Sequence, residues 1–350
     1  MTTPLPIDDE DAFCCLTELC KLDVPGPILA LFESQGWSAS SEVDGSDMAL
    51  QVILRYDAVE TFKAVLGADP LDCLSTRFWG GQRPVHHCAY SAISFSEETQ
   101  APKCLAHILE LIPLAAMEAD EDERTALDWA AMAASPRSYD MLIDSLVSAS
   151  AQGLVAHEAC QKTAGSAAFF AVSVLSDSSE AVRRACRLAE LDVDWLSVLG
   201  PGGQSLLGRA LSPANRTIRE GDEMARALLE AGIRPDSPYV ADEPRRFSSK
   251  KTSAPIPATS LMFGPDNKYR LSFSLTFRWM LERLPDDQFF ALSSNILPMD
   301  KTSFSSFGGT AHDMENAVLL FARHAALAER RALDANVPDP ARRPAQRKAI

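Results

Sequence analysis

The chain has 350 residues, with 33 basic and 48 acidic side chains and a formal charge of −15. That field repels nucleic-acid phosphates and anionic membrane surfaces alike. An apolar share of 46% suits a folded protein, and no apolar run approaches the ~20 residues of a membrane-spanning helix.

The acidic start, Met1–Asp11, lacks the basic region of a secretory signal, which predicts a cytoplasmic protein. Asp11–Gly36 reads as a helix pair, with Ala12, Leu16 and Leu19 on one stripe, a break at Asp23–Pro27, and Ile28–Phe32 resuming before Gly36. After a polar cluster, Met48–Leu54 and Val59–Leu66 form the next pair, with Phe62, Val65 and Leu66 on one face and Gly67-Ala68-Asp69 closing it. Gly81-Gln-Arg-Pro84-Val-His86-His87-Cys88-Ala89 opens a third pair, completed after the polar insertion 94–102 by Cys104–Ile112. Thr125, an N-cap candidate, opens the fourth helix start, Thr125–Ala131, and Tyr139–Val147 follows with Met141, Leu142 and Leu146 inward. A weaker copy begins at Gly165, and its second helix carries Val182, Cys186 and Ala189 as a stripe before Leu191-Asp192-Val193-Asp194.

The most legible unit is Gly203–Asp236. Ser205 caps a short first helix, Met224, Leu228 and Leu229 line the second, and Gly232 stands where a left-handed terminal residue is wanted. Residues 236–258, rich in Pro and Ser and bearing Arg245, Arg246, Lys250 and Lys251, read as a mobile inserted loop. Thr259–Gly264 restarts the pattern, with Phe273, Phe277 and Leu281 on the next helix. Asp313–Leu333 is a long final helix.

Taken together, the openings Gly81–Ala89, Thr125–Ala131 and Gly203–Leu211, with the Gly67-Ala68-Asp69 finish, resemble the ankyrin repeat. Its pattern runs Gly-x-Thr-Pro-Leu-His-Leu-Ala-Ala, a turn, a second helix, then Gly-Ala-Asp. The threonine-like positions 83, 125, 167, 205 and 259 lie 42, 42, 38 and 54 residues apart, against a family period of ~33, so every unit carries extra residues in its turns. A tetratricopeptide array, the rival, lacks the Gly-x-Thr-Pro-Leu opening. The resemblance implies an all-α, ankyrin-like helical repeat solenoid with a C-terminal helical cap. Residues 1–40 form a capping helix pair, 41–284 the repeats with the insertion at 236–258, 285–335 the cap, and 336–350 a disordered basic tail.

For function, the resemblance implies non-catalytic protein binding through the turns and the groove-facing first helices, with a basic protein surface as the complementary partner. The family's contact positions carry over to Trp79, Gln82 and Tyr90, to Glu121, Asp122, Arg124 and Met132, and to Gln204 and Ser212. No cofactor is implied. Alternatives are an effector delivered into a host cell without a signal peptide, and an enzyme whose site lies in 236–266 or 285–313. No Gly-x-Ser-x-Gly, P-loop or Gly-x-Gly-x-x-Gly supports the last.

His86-His87-Cys88 invites a metal reading. Neighbours on a helix diverge by ~100°, and His86 falls on the family's histidine, so the resemblance implies a hydrogen-bonding brace. Asp120–Glu123 lacks the spacing of a calcium loop and reads as a solvated acidic turn or as a contact for a basic partner. Trp79 and Trp195 each precede a turn and are either packed or anchors. The eight cysteines contain no Cys-x-x-Cys pair and read as free, mostly buried thiols.

Overall fold

The computed structural model describes residues 9–45, 47–91, 102–133, 136–200, 203–212, 217–239, 256–257, 274–294 and 311–336, and these are mostly helical. The chain divides into two compact units, Met1–Pro201 and Gly202–Ile350. The division falls within the span 41–284 expected as one array, where the sequence runs Gly-Pro-Gly-Gly.

The first unit is built of helix pairs: α1 (Asp9–Leu22) with α2 (Pro25–Gln35), α3 (Ala49–Arg55) with α4 (Val59–Ala68), α6 (Pro84–Ser91) with α7 (Lys103–Leu111), α8 (Ala126–Met132) with α9 (Pro136–Ala151), and α10 (His157–Val174) with α11 (Ser178–Arg187). A short α5 (Pro70–Ser75) follows α4. The first helices touch in succession, α1 to α3 to α6 to α8 to α10, and so do the second helices, α2 to α4 to α7 to α9 to α11. Each helix thus buries its apolar stripe between neighbours on either side. Leu50, Ile53, Phe62, Leu105, Leu127, Tyr139, Leu142, Ile143 and Leu146 are fully enclosed in this way.

Consecutive pairs are joined by a recurring device. Asp23 and Asp57 sit in the turns between first and second helices with φ of 48° and 51°, a left-handed conformation that aspartate tolerates better than most residues. The Asp23 carboxylate accepts from the amides of Glu60 and Thr61 at 3.0 and 2.9 Å, at the start of α4. The Asp57 carboxylate does the same for Lys103 and Cys104 at 2.9 and 2.8 Å, at the start of α7. Each turn therefore caps the next pair's second helix, where orphan N–H groups and the helix dipole favour an anion.

At the joint between the fourth and fifth pairs the device is inverted. Arg184 on α11 has no exposed surface, and its guanidinium donates to the carbonyls of Ala130, Ala131 and Ala133 at 2.9, 3.1 and 2.7 Å, closing the C-terminus of α8. The Tyr139 hydroxyl donates to the Arg184 carbonyl at 2.8 Å.

In the second unit, α12 (Leu206–Ala210) packs on α13 (Ile218–Glu230), α13 on α14 (Ser274–Arg283), and both α14 and α15 (Asp286–Ser294) on α16 (Ala311–Asn336). Ser205 accepts from the Gly208 amide at 3.0 Å as the expected cap. Gly232 takes φ of 107°, and Met224, Leu228 and Leu229 are buried. Asp222, within α13 rather than in a turn, also caps a later helix: its carboxylate accepts from the amides of Leu275 and Thr276 at the start of α14, both at 2.8 Å. The Arg323 guanidinium donates to the carbonyls of Leu281 and Leu284 at 2.6 and 2.8 Å, closing α14 as Arg184 closes α8.

Several expectations are corrected. Gly67 and Ala68 are the last turn of α4 rather than a closing bend, because Asp69 accepts from Asp72 N–H and caps a further helix. The fifth pair does not open at Gly165: α10 starts at His157 and runs through it, since no breaker or capping side chain interrupts 157–166. The buried face of α11 is Ala181, Arg184 and Ala185, while Cys186 is exposed. An arginine on the inner face hid that stripe from a purely apolar reading. The second helix of the Gly203 unit begins at Ile218, well before its apolar stripe, behind a Thr217–Glu220 capping box. The stretch 285–313 contains α15. The insertion 236–258 has a two-residue antiparallel ladder at its base, β3 (Pro238–Tyr239) with β4 (Ile256–Pro257). Its interior, together with 94–101, Thr259–Gly264, Phe273 and the tail 337–350, lies outside the described residues.

Candidate functional site

The first helices α3, α6 and α8 each begin beside a projecting turn. The hairpin of β1 (Glu42–Asp44) and β2 (Asp47–Met48) precedes α3, a 3-10 turn at Trp79–Gly81 precedes α6, and the acidic turn Asp120–Arg124 precedes α8. His86 anchors the second of these to the third. Its Nδ1 accepts from the Arg83 amide at 3.0 Å, which makes Nε2 the protonated nitrogen, donating to the Glu118 carbonyl at 2.8 Å. Burial lowers its pKa, against the raising effect of those bonds. The histidine is thus a neutral brace between turns.

Asp120 organises the third turn and is itself buried. One carboxylate oxygen accepts from the amides of Asp122 and Arg124, both at 2.9 Å, and the other from Trp129 Nε1 at 2.8 Å. The acidic turn is therefore not solvated throughout. Asp120 is structural, and Glu121, Asp122 and Glu123 are exposed around it.

Trp79 stands at the tip of its turn with 91% of its surface exposed. Gly80 and Gly81, with φ of 73° and 72°, bend the chain back beneath it. The Glu121 amide donates to the Gly80 carbonyl at 3.3 Å, and the Glu121 side chain lies across Gly81. A Cβ there would collide with Glu121 Cγ.

Tyr90 on α6 is 46% exposed and meets Trp129 of α8 edge-on, with ring centroids 5.3 Å apart. The Arg124 guanidinium lies 5.4 Å from the Trp129 centroid and 5.9 Å from that of Phe170 on α10. Half-buried Met132 ends α8, and half-buried Gln82 follows the Trp79 turn. The structure thus gathers Trp79, Gln82, Tyr90, Glu121, Asp122, Arg124 and Met132 along the starts and faces of two neighbouring helices, α6 and α8. It adds Trp129 and Phe170, which the carried-over positions omit. Their signal in sequence is an aromatic three or four residues past the threonine-like position, on the face away from Leu127 and Ala168.

Gln204 and Ser212 are different. They are 3% and 6% exposed, enclosed within the second unit, and present no surface for contact. Trp195, 8% exposed, is packed.

Among the described residues no three His, Cys, Asp or Glu side chains converge as a metal centre requires, and no helix is long and apolar enough to cross a membrane. In the second unit, Ser293 Oγ lies 2.7 Å from His324 Nδ1. Ser293 is 1% exposed and His324 is stacked flat on Phe290 at 4.7 Å, so this pair packs α15 against α16 and leaves no room for a substrate at Oγ. Comparison with protein-family models finds no match for the chain, and comparison with curated proteins finds none either.

Proposed function

We propose that this protein is a non-catalytic binding module of ankyrin-like helix pairs, which holds another protein against the turns and first-helix faces of its first unit. The observation that carries the reading is the surface from Trp79 to Phe170. It combines a nearly bare indole, an edge-on Tyr90–Trp129 pair and exposed carboxylates, and aromatic residues backed by a rigid frame are the usual anchors of protein interfaces. The succession of first and second helices, the Thr125 capping box and the His86 brace support the ankyrin-like part of the reading, since each performs the job the repeat pattern assigns to its position.

The test is capture from the native cell extract with wild-type bait, repeated with Trp79→Ala and with the double reversal Glu121→Lys/Asp122→Lys. All of these side chains are exposed, so each bait should stay folded within ~0.5 kcal/mol. A partner retained by wild type and lost by both variants supports the reading. Leu127→Ala, which empties a fully buried site at a cost of ~2–5 kcal/mol, reports what mere unfolding does to capture. A partner retained equally by all folded baits removes this surface from the function.

A further inference from the structure

Resting on that protein-binding reading, we propose that Trp79 and Glu121 form a recognition pair for a cationic side chain, lysine or arginine, on an extended basic segment of the partner. The indole offers its face to solvent, with 91% of the residue exposed. The Glu121 carboxylate is held at the turn that carries it, pinned by the bond from Glu121 N–H to Gly80 and by the absence of a side chain at Gly81. A cation over an indole face is attracted by the ring quadrupole, and an adjacent carboxylate adds a direct ion pair.

The cations nearby are already engaged. Arg77 donates to the Gly81 carbonyl at 3.4 Å, and Arg83 pairs with Glu118 at 3.2 Å. Arg124 faces Asp122 at 3.8 Å while lying over Trp129. Among the described residues neither Glu121 nor Glu123 has an ion-pair partner, so this edge carries surplus negative charge beside a bare aromatic. The fold itself makes a contact of the proposed kind, with Arg124 on Trp129. A partner's arginine or lysine on Trp79 would be the same contact made between molecules. The whole-chain charge of −15 steers a basic segment toward the surface.

The probe is a dye-labelled, end-blocked peptide of six arginines alternating with glycine, with serine and glutamate versions as controls, titrated by fluorescence polarisation at low and at physiological salt. The arginine peptide should bind and the controls should not. Trp79→Ala and Glu121→Gln should each weaken binding about fivefold, Trp79→Phe should retain part of it, and Glu158→Gln, which removes an exposed charge from α10, should change it by less than twofold. If Trp79→Ala binds like wild type, or Glu121→Gln does no more than Glu158→Gln, the attraction is a general charge effect and the recognition pair is refuted. If no arginine peptide binds, yet capture of a partner still depends on Trp79, the cation chemistry falls and the protein-binding reading survives. Self-association of the wild type that Trp79→Ala abolishes, seen by light scattering, would make a second copy the occupant and also overturn the pair.

Discussion

Replacing Arg184 should cost more than any other single change on α11. Its guanidinium makes three bonds to the last carbonyls of α8 and one, at 2.6 Å, to Glu180. Hydrogen bonds to a charged group contribute ~1.5–3 kcal/mol each and do not add, while breaking a buried pair costs ~3–5 kcal/mol. Glu180 keeps Arg183 as a partner at 2.7 Å, which softens the loss, so Arg184→Ala should cost about 4 kcal/mol. Arg184→Met retains the packing of the stem and should cost about 3, the difference being the cavity left by alanine. Urea unfolding followed by far-UV circular dichroism gives both values by linear extrapolation. For a unit of this size the alanine variant should lose roughly 8–16 °C in Tm. A cost below about 1 kcal/mol for Arg184→Ala, or a methionine variant more stable than wild type, would refute the claim that the α8 carbonyls depend on this side chain.

Acid should weaken the first unit through its histidines. Burial, aided by the charge of Arg55, pushes the His87 pKa from 6.5 down to about 4, and His86 shifts the same way. Below pH ~6.5 the unfolded chain takes up protons that the fold refuses, so stability falls by up to ~1.4 kcal/mol per pH unit for each histidine. His87→Gln should flatten that slope between pH 6.5 and 5, and an unchanged slope would refute the assignment. Thiol labelling of the native protein should modify Cys14, Cys15 and Cys186, which are exposed, and spare Cys20, Cys73, Cys88, Cys104 and Cys160, which are buried. Burial pushes Cys20 and Cys73 up to about 12, so alkaline buffer alone should not expose them. All eight should titrate in denaturant without reductant, and fewer would mean disulfides. Gly81→Ala, at φ of 72° and against Glu121, should cost about 1–2 kcal/mol. Part should be recovered with Glu121→Ala, and additive costs would deny the contact.

Helix pairing, the cap residues and most of the apolar faces were legible because they are local. Thr125 and Ser205 satisfy amides within their own first turn, Gly232 supplies a left-handed bend that no neighbour needs to impose, and Met224, Leu228 and Leu229 repeat at the helical period. Trp79 and Glu121, in turns, and Tyr90, on α6, were marked through the repeat pattern, and all three are exposed. Burial could not be read the same way: Gln204 and Ser212 occupy equivalent positions and are enclosed, and Cys186 faces solvent where Arg184 does not. Those outcomes depend on partners far along the chain. Asp23 reaches Glu60, Asp57 reaches Lys103, and Arg184 reaches Ala130. A carboxylate or guanidinium becomes a cap only when another pair brings unsatisfied amides or carbonyls to it. The aromatic row from Tyr90 through Trp129 to Phe170 likewise exists only because three helices, separate in sequence, pack side by side. Sequence by itself determined most of the helical segments and where several of them are capped, but not the start of α10 at His157, which has no capping side chain to mark it. Tertiary structure decided which polar groups are spent on the fold and which are left exposed, because desolvation of a polar group is settled by what packs against it.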